Sequence, residues 1–181
     1  MTVLLTFGHG TATDEKIAAL LRDAGVRSLV DIRTAPGSRR SPHVARGELQ
    51  RWLPEQGIQY RWEKRLGGWR TARPDSPDTA LRARPFAGYA AHMRSPEFRS
   101  AIDELLDEAA AARTAIMCAE AVWWRCHRCM VADFVVLARG VSVVHLMHDG
   151  RLQGHIPSDL ARVGDDGLLV YDAGQSPLDG P

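Results

Sequence analysis

The chain has 181 residues, 45% of them apolar and 25% charged, which fits one ordinary domain and excludes global disorder. Its net charge of +1 argues against a general nucleic-acid coat, yet residues 27–70 carry ten basic and four acidic side chains, a local stretch suited to phosphate. No apolar run approaches the ~18 residues of a membrane span, Met1–Gly8 lacks the features of a secretory signal, and three cysteines make no disulfide framework, so a reduced, cytoplasmic setting is expected.

Val3 to Phe7 reads as a short buried strand. Gly8-His9-Gly10-Thr11 breaks it, and Thr11 or Thr13 can cap a helix bearing Ile17, Ala18, Leu20, Leu21 and Ala24. Gly25 ends that helix, and Ser28 to Arg33 is a second strand. A strand–helix–strand unit of this length favours parallel pairing. Residues 34–46 form a loop, 48–56 a short helix weakened by Pro54, and 57–62 a third strand. The stretch 63–85 is glycine- and proline-bearing and irregular, and so long a connection inside a domain is usually functional or mobile.

Phe86 to Met93 is a helical turn or two. Ser95-Pro96-Glu97 is a strong helix start, with a capping serine and proline at the first helical position. That helix runs to about Ala112, and Thr114 to Cys118 is a fourth strand. A helix starting near Cys126 or His127 buries Met130, Val131, Phe134, Val135 and Ala138 and ends at Gly140. Val141 to Leu146 is a fifth strand. Residues 151–181 read as a C-terminal extension, with a loose tail from Asp172 to Pro181. The expected architecture is a single α/β domain over residues 1–150, a three-layer Rossmann-like fold with a mainly parallel sheet of about five strands.

Ligands of such sheets sit outside the carboxyl ends of the strands. That rule gathers His9, then Asp31 and Arg33 with Ser38, Arg39 and Arg40, then Lys64, Arg65, Gly67 and Gly68, then Cys118, Glu120, Cys126, His127 and Arg128. The densest cluster is 118–129. Cys126 at a helix start, flanked by Arg125 and Arg128, is a candidate thiolate, and the same helix start could instead receive a phosphate. Glu120 offers a general base, a nucleophile or a partner for arginine. Cys126 and Cys129 make a C-x-x-C, a spacing used by redox sites. Zinc is disfavoured, because Cys126 and His127 are adjacent and diverge. Trp62, Trp69, Phe86 and Tyr89 near these arginines could form a base-stacking surface.

The ordered pieces Thr6-Phe7-Gly8-His9, Leu29-Val30-Asp31-Ile32-Arg33 with Pro36 and Ser38-Arg39, Gly57-Ile58-Gln59-Tyr60, Leu66-Gly67-Gly68, Phe86-Ala87-Gly88-Tyr89-Ala90, Met117-Cys118-Ala119-Glu120 and Cys126-His127-Arg128 give the chain a likeness. It resembles the domain of unknown function 488 family over about residues 3–147. The resemblance implies a small α/β domain of bacteria and archaea and no settled reaction. His9, Asp31, Arg33, Arg39, Glu120, Cys126, His127 and Arg128 fall on its motifs. Cys129 lies outside them, and the stretch beyond about residue 150 is uncovered.

Three functions compete. The first is an enzyme acting on a nucleotide, nucleic acid or other phosphorylated substrate. In it Glu120, His9, Asp31 or Cys126 does the chemistry, and Arg33, Ser38, Arg39, Arg65, Gly67, Tyr89, Cys118, His127 and Arg128 hold the substrate. The second is a non-catalytic module binding nucleic acid or a phospho-ligand. The third is a rhodanese-like thiol enzyme using Cys126 or Cys118, although residues 119–127 lack the glycines of an anion loop. The expected partner is thus a phosphate-bearing small molecule or nucleic acid, with no membrane, no metal and no cofactor.

Overall fold

The computed structural model describes residues 1–173. Its elements in chain order are β1 (Val3–Gly8), α1 (Asp14–Asp23), β2 (Ser28–Asp31), α2 (Arg46–Trp52), β3 (Gln59–Trp62), α3 (Arg84–Met93), α4 (Pro96–Ala111), β4 (Thr114–Cys118), α5 (Arg128–Arg139), β5 (Ser142–Leu146), β6 (Leu152–Gly154), β7 (Arg162–Val163) and β8 (Leu169–Val170). Six strands form one sheet in the order β3-β2-β4-β1-β5-β6, and β7 and β8 form a separate ribbon. β1 runs parallel to β4 and β5, and β2 runs parallel to β3 and β4. The five expected strands are therefore present, with the mainly parallel Rossmann-like arrangement. The sixth, β6, pairs antiparallel with β5; its three residues are exposed, so it lacks the apolar pattern that reveals a strand.

Alternating side chains on the central strands feed two apolar layers. Leu5, Phe7, Leu29 and Met117 pack with Ile17, Leu21, Leu49 and Trp52 of α1 and α2. Leu4, Val30, Ile116 and Val143 pack with Met93, Phe98, Leu105 and Phe134 of α3, α4 and α5. Phe98 and Phe134 meet edge to face at 5.2 Å. Among the described residues no helix is long and apolar enough to cross a membrane.

Local chemistry sets the element ends. The Thr13 hydroxyl accepts the Lys16 N–H at 3.2 Å, so Thr13 rather than Thr11 caps α1. Ser95 caps α4 through the Phe98 N–H at 3.1 Å. α2 stops at Trp52, because Pro54 opens a separate tight turn that Gly57 closes at φ 76°. α5 starts at Arg128, two residues after Cys126 and not at it. The irregular stretch after β3 is fastened rather than loose: Tyr89 donates to the Leu66 carbonyl at 2.9 Å, and the Asp78 carboxylate takes Arg94 at 2.7 Å.

Within the extension expected to be loosely ordered, residues 151–168 are mostly exposed, but two places are fastened to the domain. β6 completes the sheet, and Leu169 and Tyr171 are buried in the α5 layer. The remainder of the expected tail, residues 174–181, lies outside the described residues.

Gly8 ends β1 against the chain that leaves β4. A Cβ there would sit 1.8 Å from the Glu120 carbonyl oxygen, a backbone atom that cannot swing aside. Gly47 in α2 faces open space. Gly8→Ala is expected to cost ~1–3 kcal/mol of unfolding free energy, as overpacking against backbone does. Gly47→Ala should be neutral or gain up to ~1 kcal/mol. Denaturant titration of both variants checks this, and equal midpoints would refute the role given to Gly8.

Candidate active site

The topology itself makes a crevice. β1 and β2 hand the chain to α1 and α2 on one face, while β4, lying between them, hands it to α5 on the other. Divergent connections from neighbouring parallel strands open a cleft at their carboxyl ends. A cavity of about 200 Å³ lies there. Three segments line it: Arg33 to Ala35 after β2, Gly68 and Trp69, and Cys118 to Glu120 together with Cys126 and His127.

The floor is a pair of thiols. The Cys118 and Cys126 sulfurs are 2.9 Å apart. Burial pushes the Cys118 thiol well above its usual range. The Cys126 thiol is pulled down to about 4 by the hydrogen bond from Cys118, against its own burial, with His127 and Arg128 adding to the effect. The opposite shifts favour Cys118 as the donor of the shared proton, and its Sγ also lies 3.5 Å from the Glu120 carbonyl. The Arg128 N–H also donates to the Cys126 sulfur at 3.3 Å. Cys126 has extended backbone, so it acts as a sulfur cap on the first turn of α5. The C-x-x-C pair is not the one brought together: Cys129 is half-buried away from Cys126, and its thiol is pushed up to about 12 by desolvation.

One wall is Arg33. Its Nε and Nη2 grip the Asp31 carboxylate at 2.8 and 2.6 Å, and Nη2 also reaches the Val44 carbonyl at 2.7 Å. The Tyr60 hydroxyl donates to the same carboxylate at 2.5 Å. Asp31 is fully buried and every oxygen is engaged, so it positions Arg33 rather than meeting a ligand. His9 stands behind, with Nδ1 on the Gly10 carbonyl at 2.9 Å and Nε2 3.4 Å from Arg33 Nη1. A carbonyl only accepts, so Nδ1 carries the proton. Burial lowers the histidine pKa, consistent with a neutral ring whose Nε2 lone pair faces the guanidinium. Neither His9 nor Asp31 lines the cavity.

The opposite wall is His127. Its Nε2 donates to the Ile32 carbonyl at 3.0 Å, and its ring lies so close over Gly68 that a Cβ there would fall 2.5 Å from Nδ1. Tyr89 supports the ring edge-on at 5.1 Å and is itself core, so it touches no ligand space. Glu120 is exposed at the rim, with Oε1 accepting the Val122 N–H at 3.4 Å. Trp69 also lies at the rim and is 79% exposed.

Arg128 does not face the cavity. It is 1% exposed and turns inward, donating to the Glu120 and Ala121 carbonyls at 2.8 and 3.3 Å and to the Thr6 hydroxyl at 3.2 Å. Thr6 opens a buried chain of polar groups. Its hydroxyl meets His145 Nδ1 at 2.6 Å, His145 Nε2 meets His155 Nδ1 at 2.9 Å, and His155 Nε2 meets the Asp133 carboxylate at 2.7 Å. The carboxylate also takes the Tyr171 hydroxyl at 2.7 Å. With both rings neutral, one set of proton positions satisfies the chain: Arg128 donates to Thr6, Thr6 to His145, His145 to His155, and His155 to Asp133. Burial, with the nearby His155 and Arg128, presses the His145 pKa down to about 3, and Trp123 stacks flat on its ring at 4.2 Å.

The other expected site residues stand apart. Arg65 is held by Glu63 and Glu104 at 2.8 and 2.6 Å. Ser38 accepts the Ser41 N–H at 2.9 Å within a turn, and Arg39 is exposed on that loop. Gly67 is a packing glycine, since a Cβ would meet Thr34 at 2.8 Å. The structure thus brings Arg33, Cys118, Glu120, Cys126 and His127 to one cavity. It adds Thr34 and Ala35, which no sequence signal marked, Gly68, expected at this edge with Gly67, and Trp69, noted only as one aromatic among several.

A thiolate is the form that alkylates. With the pKa lowered, Cys126 stays ionised above pH ~4. Iodoacetamide modification of Cys126 should therefore hold its rate from about pH 8 down to about pH 5 and halve near pH 4. A rate that keeps climbing toward the ordinary thiol pKa of ~8.5 would refute the thiolate. Peptide mapping distinguishes Cys126 from the slow Cys129.

The profile of the family described as "Domain of unknown function DUF488" matches residues 13–135. Among curated proteins and among solved structures, none matches the chain. The matched stretch runs from the cap of α1 into α5 and contains every segment that lines the cavity. The chain belongs to the DUF488 family of domains of unknown function.

Proposed function

We propose that the chain is an enzyme acting on a nucleotide or on single-stranded nucleic acid, with a base stacked on Trp69 and the reacting atom delivered to Cys126. The observation that carries this reading is that an exposed tryptophan and the Cys126 sulfur, whose pKa is lowered, line one small cavity. A large aromatic left 79% exposed at a cavity mouth is a stacking platform rather than core. A volume of about 200 Å³ is below the ~300 Å³ of pockets that enclose whole small molecules. It suits one fragment of a substrate, with the remainder lying across the rim. Exposed Arg125, beside Cys126 in the chain, and exposed Arg39 and Arg40 on the 34–46 loop supply charge for phosphates.

The chemistry follows from two groups. Cys126 Sγ attacks an electrophilic centre, the sulfur–substrate bond forms, and the leaving group departs with a proton from water. A second water, deprotonated by the Glu120 carboxylate, then breaks the sulfur–substrate bond and restores the thiolate. Arg33 faces developing negative charge with its one uncommitted Nη1 hydrogen, held in place by Asp31.

Fluorescence anisotropy with a labelled single-stranded oligonucleotide tests the binding half. Trp69→Ala should weaken affinity ~10-fold, within the 1–3 kcal/mol of a base–aromatic stack, and affinity should fall steeply with salt. An unchanged affinity removes Trp69. Intact-mass analysis of Glu120→Gln after incubation with nucleotides tests the chemical half. A Cys126-linked adduct is expected, and binding without any adduct would leave a non-catalytic module.

A further inference from the structure

We infer that Cys118 and Cys126 are a redox pair, in which Cys126 reacts with a hydroperoxide and Cys118 resolves the product to an intramolecular disulfide. The inference rests on the Cys126 thiolate but not on a nucleotide substrate.

Three features of the site point to it. The sulfurs are 2.9 Å apart, so reaching the ~2.05 Å of a disulfide moves them by less than an ångström. The two residues differ in freedom: Cys118 is fixed in register opposite Gly8 at the centre of the sheet, while Cys126 ends a connection of short turns and can make the movement. They also differ in access. Both line the cavity, but Cys118 is 2% exposed whereas Cys126 is half-buried. An attacking sulfur open to the cavity and a second, protonated sulfur touching it from the protein side divide the work of a two-cysteine oxidation.

The steps balance. The Cys126 thiolate attacks the terminal oxygen of a hydroperoxide; the S–O bond forms, the O–O bond breaks, and the alkoxide leaves as alcohol after taking a proton from water. Cys126 is then a sulfenic acid, oxidised by two electrons, and the peroxide is reduced. The Cys118 sulfur, giving up its proton, attacks the Cys126 sulfur. The S–S bond forms, the S–O bond breaks, and hydroxide leaves with that proton as water. A dithiol reverses the disulfide by exchange. Because Cys126 is consumed, the bridged form cannot perform thiolate chemistry at the cavity floor, and its sulfur no longer accepts the Arg128 N–H as an anion.

Trypsin cuts after Arg113, Arg125, Arg128 and Arg139, which places the three cysteines on the separate peptides 114–125, 126–128 and 129–139. The full chain is treated with one equivalent of hydrogen peroxide, free thiols are blocked with N-ethylmaleimide, and the digest is analysed without reductant. The expected result is peptide 114–125 joined to 126–128, lost on adding dithiothreitol and still formed in Cys129→Ser. Cys118→Ser should leave a Cys126 sulfenic acid that dimedone traps. A bridge from 126–128 to 129–139, a bridge between chains, or Cys126 overoxidised in the unmutated protein without any bridge would each overturn the proposal. The unmutated protein decides the matter even if Cys118→Ser fails to fold. Trp69→Ala should form the bridge normally while losing oligonucleotide affinity, so failure of one reading is separable from failure of the other.

Discussion

The buried guanidinium of Arg128 is the constraint around which the cavity is arranged. A cation taken out of water must be compensated by partners of opposite polarity. No carboxylate pairs with Arg128 among the described residues; its bonds go to two carbonyls and a hydroxyl. The remaining compensation is the Cys126 thiolate, whose sulfur accepts the Arg128 amide and whose acidity Arg128 raises. The buried cation and the cavity-facing sulfur thus act on each other across the start of α5. The same guanidinium clamps the Glu120 and Ala121 carbonyls, so the strand end bearing Cys118 and the turn bearing Cys126 are held by one side chain.

Much of the architecture was legible because apolar runs and caps carry it. Leu4, Leu5 and Phe7, or Ala115 to Met117, can only be interior strands, and Ser95-Pro96-Glu97 starts a helix wherever it occurs. The convergence of Arg33, Cys118, Glu120, Cys126 and His127 followed from the rule for strand ends. The direction of a side chain did not follow from that rule. Arg128 was expected to meet a ligand, yet its spacing to Val131 and Val135 puts it on the buried stripe of α5, a signal present in the sequence. His145 likewise alternates with Val143 toward that helix. What pattern could not reveal was pairing between distant groups, such as Arg65 with Glu104 or Asp133 with Tyr171, since nothing local marks the partner.

Close backbone approach does as much as side-chain chemistry in shaping the crevice. Gly8 admits the Glu120 carbonyl, and Gly68 admits the His127 ring. These two contacts set the distances between β1, β4 and the 67–72 stretch, and so the width of the cavity between Trp69 and the thiols. Arg33 is placed with similar economy: one carboxylate fixes both its backbone N–H and its guanidinium. The cavity is therefore assembled from rigid strand ends, while Glu120 and Trp69 remain exposed on its rim.

The polar chain from Thr6 to Tyr171 ties the cysteine site to residues beyond the family match. His145, His155 and Tyr171 all follow residue 135, and Thr6 with the central strand β1 precedes residue 13. A fragment trimmed to the matched limits would lose the central strand β1, split α5, and strip Asp133 of His155 and Tyr171 and Arg128 of Thr6. The unit of folding is thus wider than the unit of sequence similarity: boundaries chosen from similarity alone would leave β3, β2 and β4, half of the sheet, without the strands that close it.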